Sequence, residues 1–251
     1  MAYLGESSQL TIGTSKLKDS IELYLKLGFR IVKMGQTPYP WCKLTDDSLL
    51  IFLNQNGSHY LGYSYFMKDW GTLMEDLEKM GAEIVQNLPN EKVFFTPQDL
   101  LITLVKSDSV PPQGDLQDYV SLGEEGFKIR ENLPNAILGA FGELACPTQQ
   151  LDVDSLFYQK LGFKEIYRND KPYNWCILSD GLNVIGLHET TDFQENTITY
   201  FAPDVAEQVQ ALEALEALGV DRISEFTGTG GNENNVCITT AENQTIFFFK
   251  A

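Results

Sequence analysis

The sequence predicts an α+β protein made of four βαβββ modules paired into two tandem domains. Three observations carry that prediction. First, the 251-residue chain contains one stretch twice. Residues 24–53 read YLKLGFRIVKMGQTPYPWCKLTDDSLLIFL, and residues 158–187 read YQKLGFKEIYRNDKPYNWCILSDGLNVIGL. The two align without a gap: Tyr24 falls on Tyr158, Gly28 on Gly162, Pro38 on Pro172, Trp41 on Trp175 and Asp46 on Asp180. Shared Lys-Leu-Gly-Phe and Pro-Tyr-x-Trp-Cys strings are too long for chance, so this is an internal duplication. Second, the order strand, helix, three strands recurs four times. Third, the pattern breaks once, at Val110-Pro111-Pro112-Gln113-Gly114, a linker signature. The domains are therefore expected at 1–107 and 138–251, with 108–137 between them, each of a common domain size.

The first module opens with an alternating strand over 9–13. A helix follows over 15–27, with Leu17, Ile21 and Tyr24 on one face. Ser15 is placed to cap it and Gly28 to stop it. Strands at 29–34, 41–44 and 49–53 complete the module, turning at 35–38 and at Asp46-Asp47. The second module reads as a strand at 60–66, a helix over 70–80 and strands at 83–86, 92–96 and 101–105. Leu73, Leu77 and Met80 line up on its helix, and Gly81 ends it. The acidic, mixed stretch after 114 is expected to hold a short helix and an irregular crossing. The third module begins with a strand at 143–146 and a helix over 151–161, and Asp180-Gly181 is a two-residue hairpin signal. The fourth has a strand at 197–201. Its helix runs from a cap at Asp204 to Leu218, with Val205, Val209 and Leu212 as the apolar stripe and Gly219 at the end. That helix, rich in Glu and Ala, is read as solvated on its outer face rather than as a partner helix. Strands at 222–225, 235–239 and 245–249 close the chain. The glycines of 228–234 (GTGGNEN) do not sit between a strand and a helix, so they read as a loop and not as a phosphate cradle.

Composition narrows the function classes. A formal net charge of −17 repels phosphate backbones and anionic membrane surfaces, so neither nucleic acid nor membrane is an expected partner. The N-terminal residues show no basic segment followed by an apolar run, and no run has the length of a membrane span. Cys42, Cys146, Cys176 and Cys237 show no C-x-x-C spacing and read as reduced core thiols of a cytoplasmic protein.

The module order, with Y-x-K-L-G-F closing the first helix of each half, resembles the vicinal oxygen chelate superfamily of glyoxalases, bleomycin- and fosfomycin-resistance proteins and extradiol dioxygenases. The resemblance covers nearly all of the chain outside 108–137. It implies two glyoxalase-like domains, each a curved mixed sheet wrapped around a cavity with helices outside. It also implies metal-ligand positions in the first and last strands of each module. In the first domain these are Gln9, Phe52, Gly62 and Thr103; in the second they are Glu143, Gly186, roughly Thr197, and Phe247. Gln9 and Glu143 are possible ligands, but Phe and Gly donate no side-chain lone pair, and useful affinity needs about three or four protein donors. With two histidines in the chain, a His-His-Glu site cannot be assembled there. The metal chemistry of the family is therefore expected to be lost, with no cofactor.

Strand alternation then gives the faces. Leu10, Ile12, Leu44, Ile51, Leu53, Leu178, Ile185 and Leu187 should pack on the helices. Gln9, Thr11, Gly13, Trp41, Phe52 and Asn54 should face the first cavity. Glu143, Ala145, Trp175, Gly186 and His188 should face the second, with Thr197 and Thr199 near. Candidate ligand-binding residues are Gln9, Tyr39, Trp41, Phe52, Glu143, Tyr173, Trp175, His188 and Thr199, and Glu143 with His188 is the candidate acid–base pair. The bland alternative makes Glu143 a strand-end cap, His188 a surface residue, and the two Tyr-x-Trp pairs cleft-mouth or interdomain filler. His59, in a turn, should be exposed.

The preferred expectation is a metal-free protein, a monomer or homodimer, that binds a small planar or cationic ligand; its acidic surface would favour a cation. Two alternatives stand beside it. One is a glyoxalase-type lyase or dioxygenase with a non-standard divalent-metal set at Glu143 and His188. The other is a non-catalytic structural or regulatory protein whose vestigial clefts are filled by Phe52 and Phe247.

Overall fold

The computed structural model describes residues 4–109, 120–123, 126–129, 133–203, 205–216, 223–225, 236–240, 242 and 244–250. The first module is β1 (Ser7–Gly13), α1 (Leu17–Lys26), β2 (Arg30–Gly35), β3 (Trp41–Thr45) and β4 (Leu50–Asn54). The second is β5 (Tyr60–Met67), α2 (Leu73–Lys79), β6 (Ile84–Leu88), β7 (Glu91–Phe95) and β8 (Leu101–Lys106). After the antiparallel pair β9 (Val120–Gly123) and β10 (Gly126–Ile129), the third module is β11 (Ala140–Thr148), α3 (Leu151–Lys160), β12 (Lys164–Asn169), β13 (Trp175–Ser179) and β14 (Val184–Glu189). The fourth is β15 (Thr197–Ala202), α4 (Val205–Glu216), β16 (Ile223–Glu225), β17 (Val236–Thr239) and β18 (Thr245–Lys250).

Each domain is one eight-stranded sheet. The orders are β2-β3-β4-β1-β5-β8-β7-β6 and β12-β13-β14-β11-β15-β18-β17-β16. Modules pair as sequence neighbours, through β1 against β5 and β11 against β15, both antiparallel.

The alternation holds. Leu10, Ile12, Leu44, Ile51 and Leu53 are buried on the helix side with Leu17 and Tyr24 of α1, and Leu178, Ile185 and Leu187 take the same places with Tyr158 of α3. Gly28 and Gly162 end α1 and α3 at φ +90° and +103°, a left-handed region in which a side chain is strained. Leu212 of α4 is buried as its stripe requires.

One local expectation is corrected. Ser15 does not cap α1: the helix begins at Leu17 with Lys16 at its N-cap position and no side-chain cap, and the Thr14 hydroxyl accepts the Lys16 N–H at 3.0 Å just ahead of it. Among the described residues of the stretch between the domains, Val120–Gly123 and Gly126–Ile129 pair antiparallel as the β9–β10 ladder; most of the rest of that stretch, with the short helix expected there, lies outside the described residues. The linker motif at 110–114, the cap at Asp204, the stop at Gly219, the side chains of Val205 and Val209, and the loop at 228–234 lie outside the described residues.

Cys42, Cys146 and Cys176 are buried. Burial pushes the Cys42 thiol up to about 11 and that of Cys176 to about 12, which keeps both protonated and unreactive at neutral pH. Among the described residues no helix is long and apolar enough to cross a membrane.

The two domains meet through a repeated polar contact. Tyr65 of β5 donates its hydroxyl to Asp180 Oδ2 at 2.7 Å, and Tyr200 of β15 donates to Asp46 Oδ2 at 2.7 Å. The aspartates matched by the internal repeat are thus not only turn residues. Each collects the amides of its own hairpin turn and a tyrosine from the other domain. Asn135, from the segment between the domains, adds Nδ2 bonds to Leu27 O at 2.9 Å and Asp46 Oδ2 at 3.2 Å.

Candidate functional site

The second-domain cleft brings the predicted residues together. Glu143 stands in mid-strand on β11, between the core residue Leu144 and the bulge after Phe141, and is 2% exposed. His188 stands on β14, its side chain 12% exposed. Its Nε2 lies 2.9 Å from Glu143 Oε1. With the carboxylate ionised, Nε2–H is the donor. Glu143 is therefore not a strand-end cap, and His188 is not a surface residue.

Aromatic rings fix the imidazole. Trp175 of β13 stacks on it at 5.7 Å between centroids and 5° between planes, Tyr173 stands edge-on at 5.9 Å, and Phe193 closes the other side at 5.7 Å. Phe193 in turn meets Phe247 of β18 at 5.3 Å. The Tyr173 hydroxyl reaches His188 Nδ1 at 3.4 Å. Burial, and then the Glu143 charge, hold the Tyr173 pKa well above its ordinary value, so the phenol stays protonated and is available as a donor. Gly186, between Glu143 and His188 in space, makes their contact possible. A Cβ there would fall 2.2 Å from Glu143 Oε2 and 2.7 Å from His188 Nε2.

Register corrects one position. Glu143 pairs with Thr199, which pairs with Phe247, forming one row across β11, β15 and β18. Thr197 is two pairs further along, opposite Ala145, and its hydroxyl is spent on Glu195 O at 3.0 Å. Thr199 is fully buried, and neither its Oγ1 nor Glu143 Oε2 has a hydrogen-bond partner. Two unpaired polar atoms therefore stand on laterally paired residues of the cavity face.

The first-domain cleft is a cavity of about 1210 Å³ whose lining includes Gln9, Thr11, Tyr39, Trp41, Phe52 and Asn54. Trp41 leans on Phe52 at 5.5 Å. Thr11 and Ser64 share a hydroxyl–hydroxyl contact of 2.7 Å. Phe52 lines this space and does not fill it. Trp41 and Trp175 are cleft residues rather than interdomain filler, each anchored by its Nε1–H, to Thr37 O at 3.2 Å and Lys171 O at 2.9 Å. His59 is exposed at the cleft edge.

Sequence reading missed Lys43 in this cleft. Its Nζ sits 5.7 Å from the Phe52 ring centre and 5.8 Å from that of Phe66, a cation over two aromatic faces. Burial, and then the neighbouring Lys33 charge, push its pKa down. The signal was available, because Lys43 lies two residues from Trp41 on the same face.

The implied metal positions do not suit a divalent metal. Gln9, Phe52, Gly62 and Thr103 offer no imidazole, thiolate or carboxylate, and a Cβ at Gly62 would lie 1.9 Å from Leu101 O. In the second cleft Glu143 and His188 are engaged with each other, and the row ends in Phe247. Among the described residues no group of three or more His, Cys, Asp or Glu side chains could hold a metal ion.

The chain forms two eight-stranded sheets of paired βαβββ modules. Solved structures that share this fold include extradiol dioxygenases. Homoprotocatechuate 2,3-dioxygenase from Brevibacterium fuscum matches with TM-score 0.64 and 12% identity, over 100% of this chain and 72% of that one. The Arthrobacter globiformis enzyme of the same name matches with TM-score 0.63 and 13% identity, over 99% and 80%. The 2,3-dioxygenase LapB from Pseudomonas sp. KL28 matches with TM-score 0.55 and 14% identity, over 98% and 91%. At such identities the likeness is one of fold. No protein-family model matches the chain, and no curated protein matches its sequence.

Proposed function

We propose that the chain binds a small planar molecule in the second-domain cleft, against Glu143 and His188 and without a divalent metal. The observation that carries this reading is the pair of unpartnered atoms, Glu143 Oε2 and Thr199 Oγ1, beneath a wall of four aromatic rings. Leaving one such atom buried and unbonded costs about 1–3 kcal/mol, so a ligand that offers O–H or N–H groups regains that free energy on binding. The rings supply the planar contact. Glu143 Oε1 is held by His188, which leaves Oε2 to accept a proton or a hydrogen bond from the ligand.

The first cleft, with Lys43 over Phe52 and Phe66, suits a planar anion rather than the cation expected from the acidic surface. The two clefts differ in polarity, which supports two ligands rather than one ligand bound twice. The open space beside Phe52 speaks against a filled first cleft.

Catechol is a suitable probe of the second cleft, being planar with two hydroxyl donors. In EDTA-treated protein it should raise the melting temperature, and Glu143→Gln should weaken its binding roughly ten-fold. Titration calorimetry on both proteins decides this. The dioxygenase fold of the structural neighbours favours a second reading, a metal-dependent lyase or dioxygenase. Stoichiometric iron or manganese in the purified protein, lost in Glu143→Ala, would establish that reading and displace the first.

A further inference from the structure

A third pocket, of about 640 Å³, lies between the domains and shares His59, Tyr60 and Asp99 with the lining of the first-domain cleft. One wall comes from the first domain, with Ser15, Tyr60 and Gln98 among its residues; the other comes from the second, with Asn196, Glu242 and Gln244. Gln98 and Glu242 occupy matching places. Each sits between the last two strands of its domain, in a turn closed by a threonine: Thr96 Oγ1 accepts Leu100 N–H at 3.2 Å, and Thr240 Oγ1 accepts Gln244 N–H at 3.1 Å.

The polar chemistry of this pocket is one-sided. Both carboxylate oxygens of Glu242 are buried without a partner, and so are Gln98 Oε1, Gln244 Oε1 and Asn196 Oδ1. Glu242 is 4% exposed and Gln98 is 9% exposed. Five orphaned acceptor oxygens, one pair of them on a carboxylate, therefore line a single pocket. Native proteins leave very few buried polar atoms unsatisfied, and a cluster of one kind calls for the complementary kind. The negative charge of Glu242 is felt across the domain boundary: after burial itself, it is what raises the pKa of the buried Tyr24 phenol. Lys16, on the same lining, is exposed and bonds none of these oxygens.

We propose that the interdomain pocket is a binding site for an organic ammonium ion, a primary alkylamine or diamine, whose N–H groups satisfy Glu242, Gln98, Gln244 and Asn196. The donor set decides between a metal and an ammonium. One carboxylate with three neutral amide oxygens carries a single negative charge, which matches one ammonium. Calcium takes six to eight oxygens and commonly several carboxylates. An ammonium offers three hydrogens and tolerates a roomy site. Tyr60 and Leu61 give the alkyl body an apolar surface, and the acids at Asp99 and Glu195 on the same lining suit a second ammonium.

The test is calorimetry and thermal unfolding of the full chain with 1,5-diaminopentane, 1-pentanol and calcium chloride as separate probes. The diamine is expected to bind saturably and raise the melting temperature, while the alcohol does neither. Glu242→Gln keeps the shape and removes the charge. It should weaken the diamine roughly ten-fold or more, and also raise the melting temperature of the unliganded protein, because it discharges a buried, unpaired carboxylate. A residue with only a structural role would not move these two readouts in opposite directions. Gln98→Leu, on the other wall, should weaken the diamine several-fold. Absence of saturable diamine binding at millimolar concentration, equal binding by Glu242→Gln, or calcium binding in place of the diamine would each overturn the proposal. Catechol binding is unaffected by Glu242→Gln on this account, so the two sites fail or stand separately.

Discussion

Asp46→Ala should lower the stability of the protein by about 3–5 kcal/mol, among the largest effects a single substitution can have here. Asp46 is 3% exposed and accepts five hydrogen bonds. Ser48 N–H, Ser48 Oγ–H and Leu49 N–H reach Oδ1, each at 2.9 Å. Tyr200 and Asn135 reach Oδ2 from the other domain and from the segment between. Removing the carboxylate strands buried donors on three parts of the chain at once. For a protein of this size, each 1 kcal/mol moves the melting temperature by about 2–4 °C. Asp180→Ala should behave alike, since Asp180 accepts Leu182 N–H at 2.8 Å, Asn183 N–H at 2.7 Å and the Tyr65 hydroxyl. Urea unfolding measures both, and a loss under about 1 kcal/mol in each would show that the domains do not lean on these aspartates.

The same pair sets a pH dependence. Burial raises the pKa of Asp46 and of Asp180 above the ordinary 3.8, outweighing the hydrogen bonds that lower it. A carboxyl with a raised folded pKa binds more protons folded than unfolded, so stability falls as pH rises from about 4 through the raised value. The surface charge of −17 gives a slope of the same sign. The contribution of the aspartates is therefore the difference between wild type and the Asp46→Asn, Asp180→Asn double variant, which should show the shallower slope. Identical slopes would refute it.

Gly186→Val should abolish catechol binding in the second cleft and cost about 1–3 kcal/mol of stability. The new Cβ meets Glu143 Oε2 at 2.2 Å, Glu143 Cδ at 2.5 Å and His188 Nε2 at 2.7 Å. A surface carboxylate would swing away, but Glu143 is enclosed by its own sheet and the aromatic wall. The Glu143–His188 contact must break, and one polar partner loses its bond in a buried site. The imidazole resonances of His188 should shift by nuclear magnetic resonance, while first-cleft ligands stay unaffected. An unchanged His188 signature with intact binding would show that the two side chains do not depend on the empty Cα face.

The face of a residue was legible in the chain wherever a strand alternates, because successive side chains point to opposite sides of a sheet. That placed Leu44, Leu178, Ile51 and Ile185 in the core and Trp41, Phe52, Glu143 and His188 in the clefts. The repeat aligned the first and third modules from Tyr24 and Tyr158 to their last strands. The segment between the domains was less legible, since Val120–Gly123 and Gly126–Ile129 are too short to show a period.

What the chain determined by itself is the duplicated βαβββ plan, its helix stops at Gly28 and Gly162, and the inward side of every cleft strand. Tertiary structure alone decided that adjacent modules share a sheet, that Glu143, Thr199 and Phe247 fall in one row, and that His188 turns onto Glu143. It also decided that Tyr65 and Tyr200 cross to Asp180 and Asp46, and that Gln98 and Glu242 line one pocket. The physical reason is one of range. Periodicity records how a residue relates to neighbours a few positions away. Which strands lie side by side, and in what register, depends on packing between residues 45 to 175 positions apart, and no local pattern reports it.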